Sequence, residues 1–140
     1  MNISTKGRYG LRAILDIARH GEGRPVTLSA IALRQQISEG YLEQLMAPMK
    51  KAGLVQSSRG AQGGYTLAGK PQEIVVGDIF RALEGPLALA SCISEADEGS
   101  CHKQESCGSR FIWEEIQKAV SQVLASYTLA DLLERETTNE

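Results

Sequence analysis

The 140-residue sequence lacks any run of about 18 apolar residues, the length that a membrane-spanning helix needs. Its beginning, Met1 to Gly10, lacks the apolar core of a signal peptide. The chain has three cysteines, an odd number that is a poor match to a framework of structural disulfides. These absences predict a cytoplasmic protein that has no contact with a membrane.

Signatures of catalysis are missing as well. No paired acid and base and no activated nucleophile stands out, and the adjacent Cys101 and His102 are not by themselves a catalytic arrangement. The glycine-rich stretch at 59–64 is not followed by the Gly-Lys-Ser/Thr of a phosphate-binding loop. We therefore predict that the protein is not an enzyme.

Charge is divided unevenly between the two halves of the chain. Residues 1–70 contain ten Lys or Arg and four Asp or Glu, for a net charge of +6. Residues 71–140 contain five basic and thirteen acidic residues, for a net charge of −8. A basic half can hold a polyanion that an acidic half would repel, so the division favours a nucleic acid bound on one face.

Apolar residues recur at helical spacing in three segments of the basic half, after Ser4 or Thr5, after Thr27 and after Ser38. Hydroxyl side chains at these positions are good N-caps. The second and third predicted helices are short and joined by a tight connection, which matches a helix-turn-helix. Pro48 should kink or end the third helix near Ala47, because its ring clashes with the preceding turn, and Met49 to Ala52 then form at most one further turn.

Two side chains of the third helix suit the reading of bases. Glu43 and Gln44 lie on the face away from the apolar stripe. A glutamine can bond adenine through two hydrogen bonds, and a glutamate can accept a hydrogen bond from cytosine. An ordinary polar helix face would look the same, so the residues alone leave both interpretations open.

Two short strands follow, at 54–58 and 64–68, joined by a glycine-rich turn. A helix-turn-helix followed by a hairpin is a winged helix, and Arg59 at the hairpin tip could enter a narrow minor groove. The predicted fold class is therefore mostly α with a small β-hairpin: a winged helix-turn-helix with a long C-terminal dimerisation helix.

The acidic half begins with a helix that ends at Gly85 and Pro86. Helical periodicity returns over 109–126, about 27 Å at 1.5 Å per residue, and a second copy of the chain is the obvious partner for so long a helix. Thr128 and Asp131 have the spacing of a capping box for a short terminal helix. We predict a DNA-binding domain at 1–85, a cysteine segment at 86–108, dimerisation and terminal helices at 109–135, and a frayed tail at 136–140.

The cysteines are spaced C-x8-C-x5-C, at Cys92, Cys101 and Cys107. Structural zinc sites favour pairs two to four residues apart, and the chain has no such pair. Iron–sulfur clusters tolerate wider spacing. Three incidental thiols would give the same spacing, so the pattern alone leaves both possibilities open.

Several motifs together resemble those of the IscR/NsrR/CymR family of bacterial winged-helix transcription regulators. They are S-T-K-G-R-Y-G-L-R-A at 4–13, Y-L-E-Q-L at 41–45, K-K-A-G-L-V at 50–55, R-G-A-Q-G-G-Y-T-L-A at 59–68, D-I-F-R-A-L-E-G at 78–85 and T-L-A-D-L at 128–132. The resemblance implies a homodimer on double-stranded DNA with a palindromic operator, and it leaves contact with RNA polymerase open.

The resemblance also implies roles for individual residues. Glu43 and Gln44 would touch bases, and Arg59 would enter the minor groove. Ser38 and Tyr41 would lie at the phosphate backbone. The wing would also contribute its three glycines, Gly60, Gly63 and Gly64.

In the iron–sulfur members of this family, three cysteines lie between the linker helix and the dimerisation helix, as Cys92, Cys101 and Cys107 do here. The resemblance therefore implies a cluster, either 2Fe–2S or 4Fe–4S, as its cofactor. The cysteine-metabolism branch suggests the alternative of a cofactor-free repressor controlled by a partner protein or by thiol oxidation.

The fourth ligand of such a cluster differs between branches of the family. One branch has a histidine where this chain has Arg110, and another takes a carboxylate from the partner at the position of Arg8. The candidates that remain are His102, Glu84, Glu105 or an exogenous molecule.

Overall fold

The computed structural model describes residues 2–94 and 105–138. Cys101 and His102 lie outside these residues. The elements are α1 (Thr5–Gly21), α2 (Leu28–Gln35), α3 (Glu39–Lys51), β1 (Val55–Ser58), β2 (Gly64–Leu67), α4 (Val76–Glu84), α5 (Gly108–Ser126) and α6 (Leu129–Thr138). Short 3-10 turns lie at Pro71–Glu73 and Ser91–Ile93. None of the helices in these ranges is both long and apolar enough to cross a membrane.

The first three helices begin at the predicted N-caps. Ser4, Thr27 and Ser38 each accept a hydrogen bond from the backbone N–H three residues further on, at 3.1 to 3.2 Å. Each bond satisfies a donor that the first turn of a helix otherwise leaves unpaired. The residues at the helix starts therefore set where each helix begins.

Pro48, predicted to kink or end α3 near Ala47 with at most one further turn after it, does not end the helix, which continues for about one turn to Lys51. Proline removes one hydrogen bond of the ladder. The following turn nevertheless closes, since the Ala52 N–H bonds to the Pro48 carbonyl at 3.0 Å. Met49 in that turn is completely buried, and its packing in the core holds the turn in place.

The hairpin is antiparallel, with Val55 opposite Leu67 and Ser58 opposite Gly64. Each strand is one residue shorter than predicted: β1 begins after Leu54, and β2 ends before Ala68. Val26, in the loop before α2, adds a bridge to Tyr65 through two backbone hydrogen bonds of 2.9 and 2.8 Å. The wing is therefore fastened to the helical part of the domain, as the predicted winged-helix fold requires.

The hydrophobic core joins α1, α2, α3 and α4 with a residue from the far end of the chain. Leu129, the first residue of α6, is completely buried in this core. A backbone bridge between Val75 and Thr128, the residue before Leu129, holds the start of α6 next to the core. The sequence predicted that the DNA-binding domain ends at residue 85. Its core nevertheless includes a side chain from well beyond that position.

The capping box predicted at the start of α6 is present. The Thr128 N–H donates to an Asp131 carboxylate oxygen at 2.9 Å, and the Asp131 N–H donates to the Thr128 hydroxyl at 3.4 Å. Residues 136–138, which sequence alone places in a frayed tail, continue α6. An ion pair of 2.9 Å between Glu136 and Arg19 of α1 holds this last part of the helix.

Candidate nucleic-acid interface and cysteine segment

The outer face of α3 presents the two side chains predicted to read bases. Glu43 and Gln44 are exposed, on the side opposite the buried Leu42 and Leu45. The neighbouring Gly40 has open space around it, so little side-chain bulk surrounds the two polar groups. This face can approach the floor of a DNA groove, where a carboxylate accepts from cytosine and an amide pairs with adenine.

The two residues predicted at the phosphate backbone lie at the start of the same helix. The Ser38 oxygen accepts the Tyr41 N–H at 3.2 Å, which leaves the serine hydroxyl hydrogen free to donate. The Tyr41 ring is half-buried and meets Tyr9 of α1 edge to face, with the ring centroids 6.1 Å apart. The structure therefore gathers Ser38, Tyr41, Glu43 and Gln44 on one helix.

Arg59 is exposed at the start of the hairpin turn, and the glycines after it are required by the geometry of the wing. Gly60 has a φ of +103°, a conformation that favours glycine. A Cβ atom at Gly63 or at Gly64 would lie 2.4 Å from a backbone carbonyl oxygen. These glycines permit the tight turn from which the arginine projects.

A buried charge network, which the sequence analysis did not identify, holds the helix-turn-helix to α1. Asp16 is 3% exposed and accepts hydrogen bonds from Arg34 and, at 2.9 Å, from the Gln35 side-chain amide. Burial raises the pKa of Asp16, but these hydrogen bonds and the nearby charges of Arg34 and His20 outweigh it and hold the pKa below its ordinary value. The sequence signal was a single aspartate inside the otherwise apolar run at 13–18.

Cys92 lies in the 3-10 turn Ser91–Ile93, which is fastened to the middle of α5 by Gln117. The Gln117 side chain accepts the Leu89 N–H at 3.2 Å and donates to the Ile93 carbonyl at 3.1 Å. Cys92 is half-buried and lines a shallow cavity of about 370 Å³ that runs along α5. Its position is therefore fixed relative to the helix predicted to form the dimer.

Cys107 is the residue before the first turn of α5, is half-buried, and has its sulfur 3.0 Å from the Ser109 hydroxyl. Cys92 and Cys107 therefore lie on either side of the segment that contains Cys101. Neither thiol is packed in the hydrophobic core, so both can serve as thiolate ligands. The chemistry of these donors fits an iron–sulfur cluster.

Two of the candidates for the fourth ligand, Glu84 and Glu105, lie within the described residues. The Glu84 carboxylate accepts a hydrogen bond from the Ser4 hydroxyl at the start of α1, and Glu105 is exposed. Within residues 2–94 and 105–138, no three His, Cys, Asp or Glu side chains are grouped closely enough to hold a metal ion. The described residues thus contribute two thiols and leave the rest of a ligand set unassigned.

Comparison with known proteins identifies the relatives of this winged helix. The family model Rrf2, described as an iron-dependent transcriptional regulator, matches residues 3–135. The chain belongs to the Rrf2 family of transcriptional regulators. Rrf2 proteins are regulators and not enzymes, so the predictions of a DNA-binding regulator and of no catalytic activity are confirmed.

The Rrf2 relatives include both CymR and IscR proteins. CymR of Bacillus subtilis is 47% identical over 133 residues, which cover 94% of this chain and 89% of CymR. The structure of that protein, described as the global cysteine regulator of B. subtilis, has a TM-score of 0.79 at 41% identity and covers 96% of this chain and 98% of CymR.

IscR of T. potens has a TM-score of 0.79 at 46% identity, with 97% of this chain and 88% of that structure covered. These likenesses confirm the predicted fold class and the family resemblance. The Rrf2 protein thus resembles members of both branches of the family, CymR and IscR.

Proposed function

We propose that this Rrf2-family regulator acts in the cytoplasm as a homodimer that binds a palindromic operator and holds an iron–sulfur cluster in its cysteine segment. The observation that supports operator reading is the exposed pair Glu43 and Gln44 on α3, in the same domain as the exposed Arg59 of the wing. A recognition helix in the major groove and an arginine in the minor groove together read a half-site.

The reading of bases can be tested with Gln44→Ala and a matched control, Gln122→Ala, on the exposed surface of α5. Loss of a base contact should weaken operator binding by about 1–3 kcal/mol and leave binding to an unrelated duplex nearly unchanged. Fluorescence anisotropy with both duplexes measures the two affinities. Equal weakening on both duplexes would remove Gln44 from base recognition.

The surface of α5 supports the homodimer. One face of the helix packs on α4, where Leu124 lies against Gly77. Several large apolar side chains remain exposed on α5, including Phe111 at 66% and Val123 at 56%. A groove of about 740 Å³, adjacent to α5, is lined mostly by apolar side chains of the N-terminal arm, α4, residues 85–89 and α5. A second copy of α5 would bury this surface, since apolar patches of this kind mark association sites.

The homodimer predicts a clear result for Val123→Glu. A buried carboxylate at the interface should shift the protein from dimer to monomer, because burying an unpaired charge is costly. Sedimentation velocity measures the change, and Gln122→Glu, which places the same charge on the adjacent exposed position, is the control. A Val123→Glu protein that sediments as the wild type would contradict this interface.

The cysteine segment is proposed to hold the cluster through Cys92, Cys101 and Cys107, with the fourth ligand among His102, Glu84, Glu105 or an exogenous molecule. A bound cluster would supply an iron centre that responds to oxygen, nitric oxide or redox potential. Gln117 would keep the Cys92 turn against α5, and Cys107 would join the segment to the first turn of that helix. A change in the segment would therefore act directly on the dimerisation helix.

Anaerobic purification followed by assays of iron and acid-labile sulfide tests the cluster. The wild-type protein should contain both, and Cys92→Ser should contain much less of each. Ser94→Ala, a change of similar size two residues away, is the control and should retain the wild-type content. A colourless wild-type protein without iron or sulfide would overturn the proposal of a cluster.

A cofactor-free regulator of the same fold is the second candidate. The 47% identity to CymR of B. subtilis and the likeness to its structure favour it. Here a partner protein or oxidation of a thiol would provide the signal. Replacement of all three cysteines by Ser separates the partner-controlled form from the cluster, because operator binding and its response should then be unchanged.

A further inference from the structure

Two arginines of α1 lie over one tyrosine ring. The guanidinium carbons of Arg8 and Arg12 are 5.7 and 5.2 Å from the centroid of the Tyr9 ring, within the range of cation–π attraction. Tyr9 in turn meets Tyr41, in the first turn of α3, edge to face. We call these four side chains the arginine–tyrosine cluster. It places two positive charges beside the start of α3.

The two arginines have different partners. Arg12 donates to the Gln35 backbone carbonyl at 2.8 Å and to the Gln35 side-chain oxygen at 3.1 Å, so it holds the last residue of α2. Arg8 is exposed, and its guanidinium forms no hydrogen bond or ion pair with the described residues. The planar donors of Arg8 are therefore available to an external acceptor, while the Tyr9 ring limits the directions in which they can point.

The position of the cluster relative to α3 indicates what that acceptor is. Tyr41 precedes Gln44 by three residues, which places the two side chains about 60° apart around the helix axis. The cluster therefore lies along the edge of the face proposed to read bases. When a helix enters the major groove, the phosphates of the DNA backbone lie along its edges.

We propose that Arg8 binds a backbone phosphate next to the half-site, with Tyr9 as its platform and Arg12 as a positioning residue. A guanidinium forms two parallel hydrogen bonds with a phosphate, and stacking on a ring lowers the entropy lost when they form. This contact sets the register of α3 and carries no sequence information of its own. The inference rests on DNA binding by this surface.

The dependence of affinity on salt tests the contact directly. For Arg8→Gln, the slope of log K against log salt should become shallower by about 0.9 for each protomer bound. Affinity should fall by a similar factor on the operator and on an unrelated duplex. Arg135→Gln, the same change at an exposed position of α6, is the control and should retain the wild-type slope. An unchanged slope in Arg8→Gln, or an equal change in the control, would overturn the proposal.

Two further variants separate a phosphate contact from a purely structural role. Arg8→Lys keeps the charge, so it should keep the salt slope while losing affinity from the weaker stacking and the lost fork of donors. Tyr9→Phe should bind as the wild type because it keeps the ring. If Arg8→Gln alters thermal unfolding but not the salt slope, the cluster serves stability alone. If the wild-type protein binds no duplex at all, the proposed function as a DNA-binding regulator is wrong, and this outcome is distinct from a failure of the Arg8 contact alone.

Discussion

Arg34 of α2 holds Asp16 of α1 with two hydrogen bonds, from Nε at 2.9 Å and from Nη2 at 2.6 Å. Asp16 is buried, whereas the arginine remains partly in contact with water. The pair therefore fixes the first helix of the helix-turn-helix to the scaffold helix below it. Two parallel bonds restrict rotation as well as distance, so the pair also sets the angle between α1 and α2.

Asp16→Asn should lower the free energy of unfolding by about 2 kcal/mol at neutral pH, because the charged hydrogen bonds to Arg34 are lost. The pKa of Asp16 is lower in the folded protein than in the unfolded chain, so its stabilisation is present above the unfolded pKa. That stabilisation is lost as pH falls through the folded pKa. The gap between wild type and variant should therefore shrink below about pH 4.

Denaturant unfolding at a series of pH values measures this gap. Asp78→Asn removes an exposed carboxylate, which is 3.9 Å from Arg81, and serves as the matched control. It should change stability by less than about 1 kcal/mol. A gap for Asp16→Asn that equals the control, or one that persists unchanged in acid, would contradict the role given to the pair.

Arg59→Ala should weaken binding most on operators whose flanks are rich in A and T, by about 1–2 kcal/mol, because such flanks have the narrow, negative minor groove that arginine enters. Titration of duplexes that differ only in their flanks measures the effect. Arg135→Ala, at an exposed position of α6, should bind all of them as the wild type does. Equal losses for Arg59→Ala on every flank would leave it as a simple phosphate contact.

Leu129→Ala tests whether the DNA-binding core depends on α6. The side chain is 0% exposed, so its truncation should lower the free energy of unfolding by about 2–5 kcal/mol. Leu33→Ala, the same change at an 82% exposed position of α2, should stay within about 0.5 kcal/mol of wild type. If the two variants unfold alike, Leu129 is not part of the core.

Gln117→Leu should release the turn that contains Cys92, because both hydrogen bonds that fasten the turn to α5 are lost. At about 1 kcal/mol for each bond, the turn should open at least tenfold more often. The rate at which a maleimide labels Cys92, with Cys101 and Cys107 replaced by Ser, reports this opening. Gln122→Leu is the control. If Cys92 is labelled at the same rate in both variants, Gln117 does not hold the turn against α5.

The elements that sequence predicted correctly depend on local patterns. Ser4, Thr27 and Ser38 cap helices through bonds that span three residues, and the hairpin follows from glycines in its own turn. Features that sequence missed depend on contacts between distant segments. The burial of Leu129, from the start of α6, in the core of the DNA-binding domain is a property of the whole fold.

The same distinction applies to the candidate site. Glu43 and Gln44 could be placed on an exposed face because helical periodicity fixes which side of α3 is apolar. The Gln117 contacts join residues 24 and 28 positions apart, and no periodicity within α5 indicates them. The arginine–tyrosine cluster likewise depends on how α1 crosses α3, which only the tertiary structure shows.

The bridge between Val75 and Thr128 brings together the two ends of the segment formed by α4, the cysteines and α5. The Val76 N–H bonds to the Tyr127 carbonyl at 2.9 Å, and the Leu129 N–H bonds to the Ile74 carbonyl at 3.0 Å. Residues 76–127 thus form a segment whose two ends meet at one point. Its first helix, α4, packs in the core of the reading domain, whereas α5 has no buried residue. Changes of sequence or length in α5 therefore leave that core and the operator-reading surface in place.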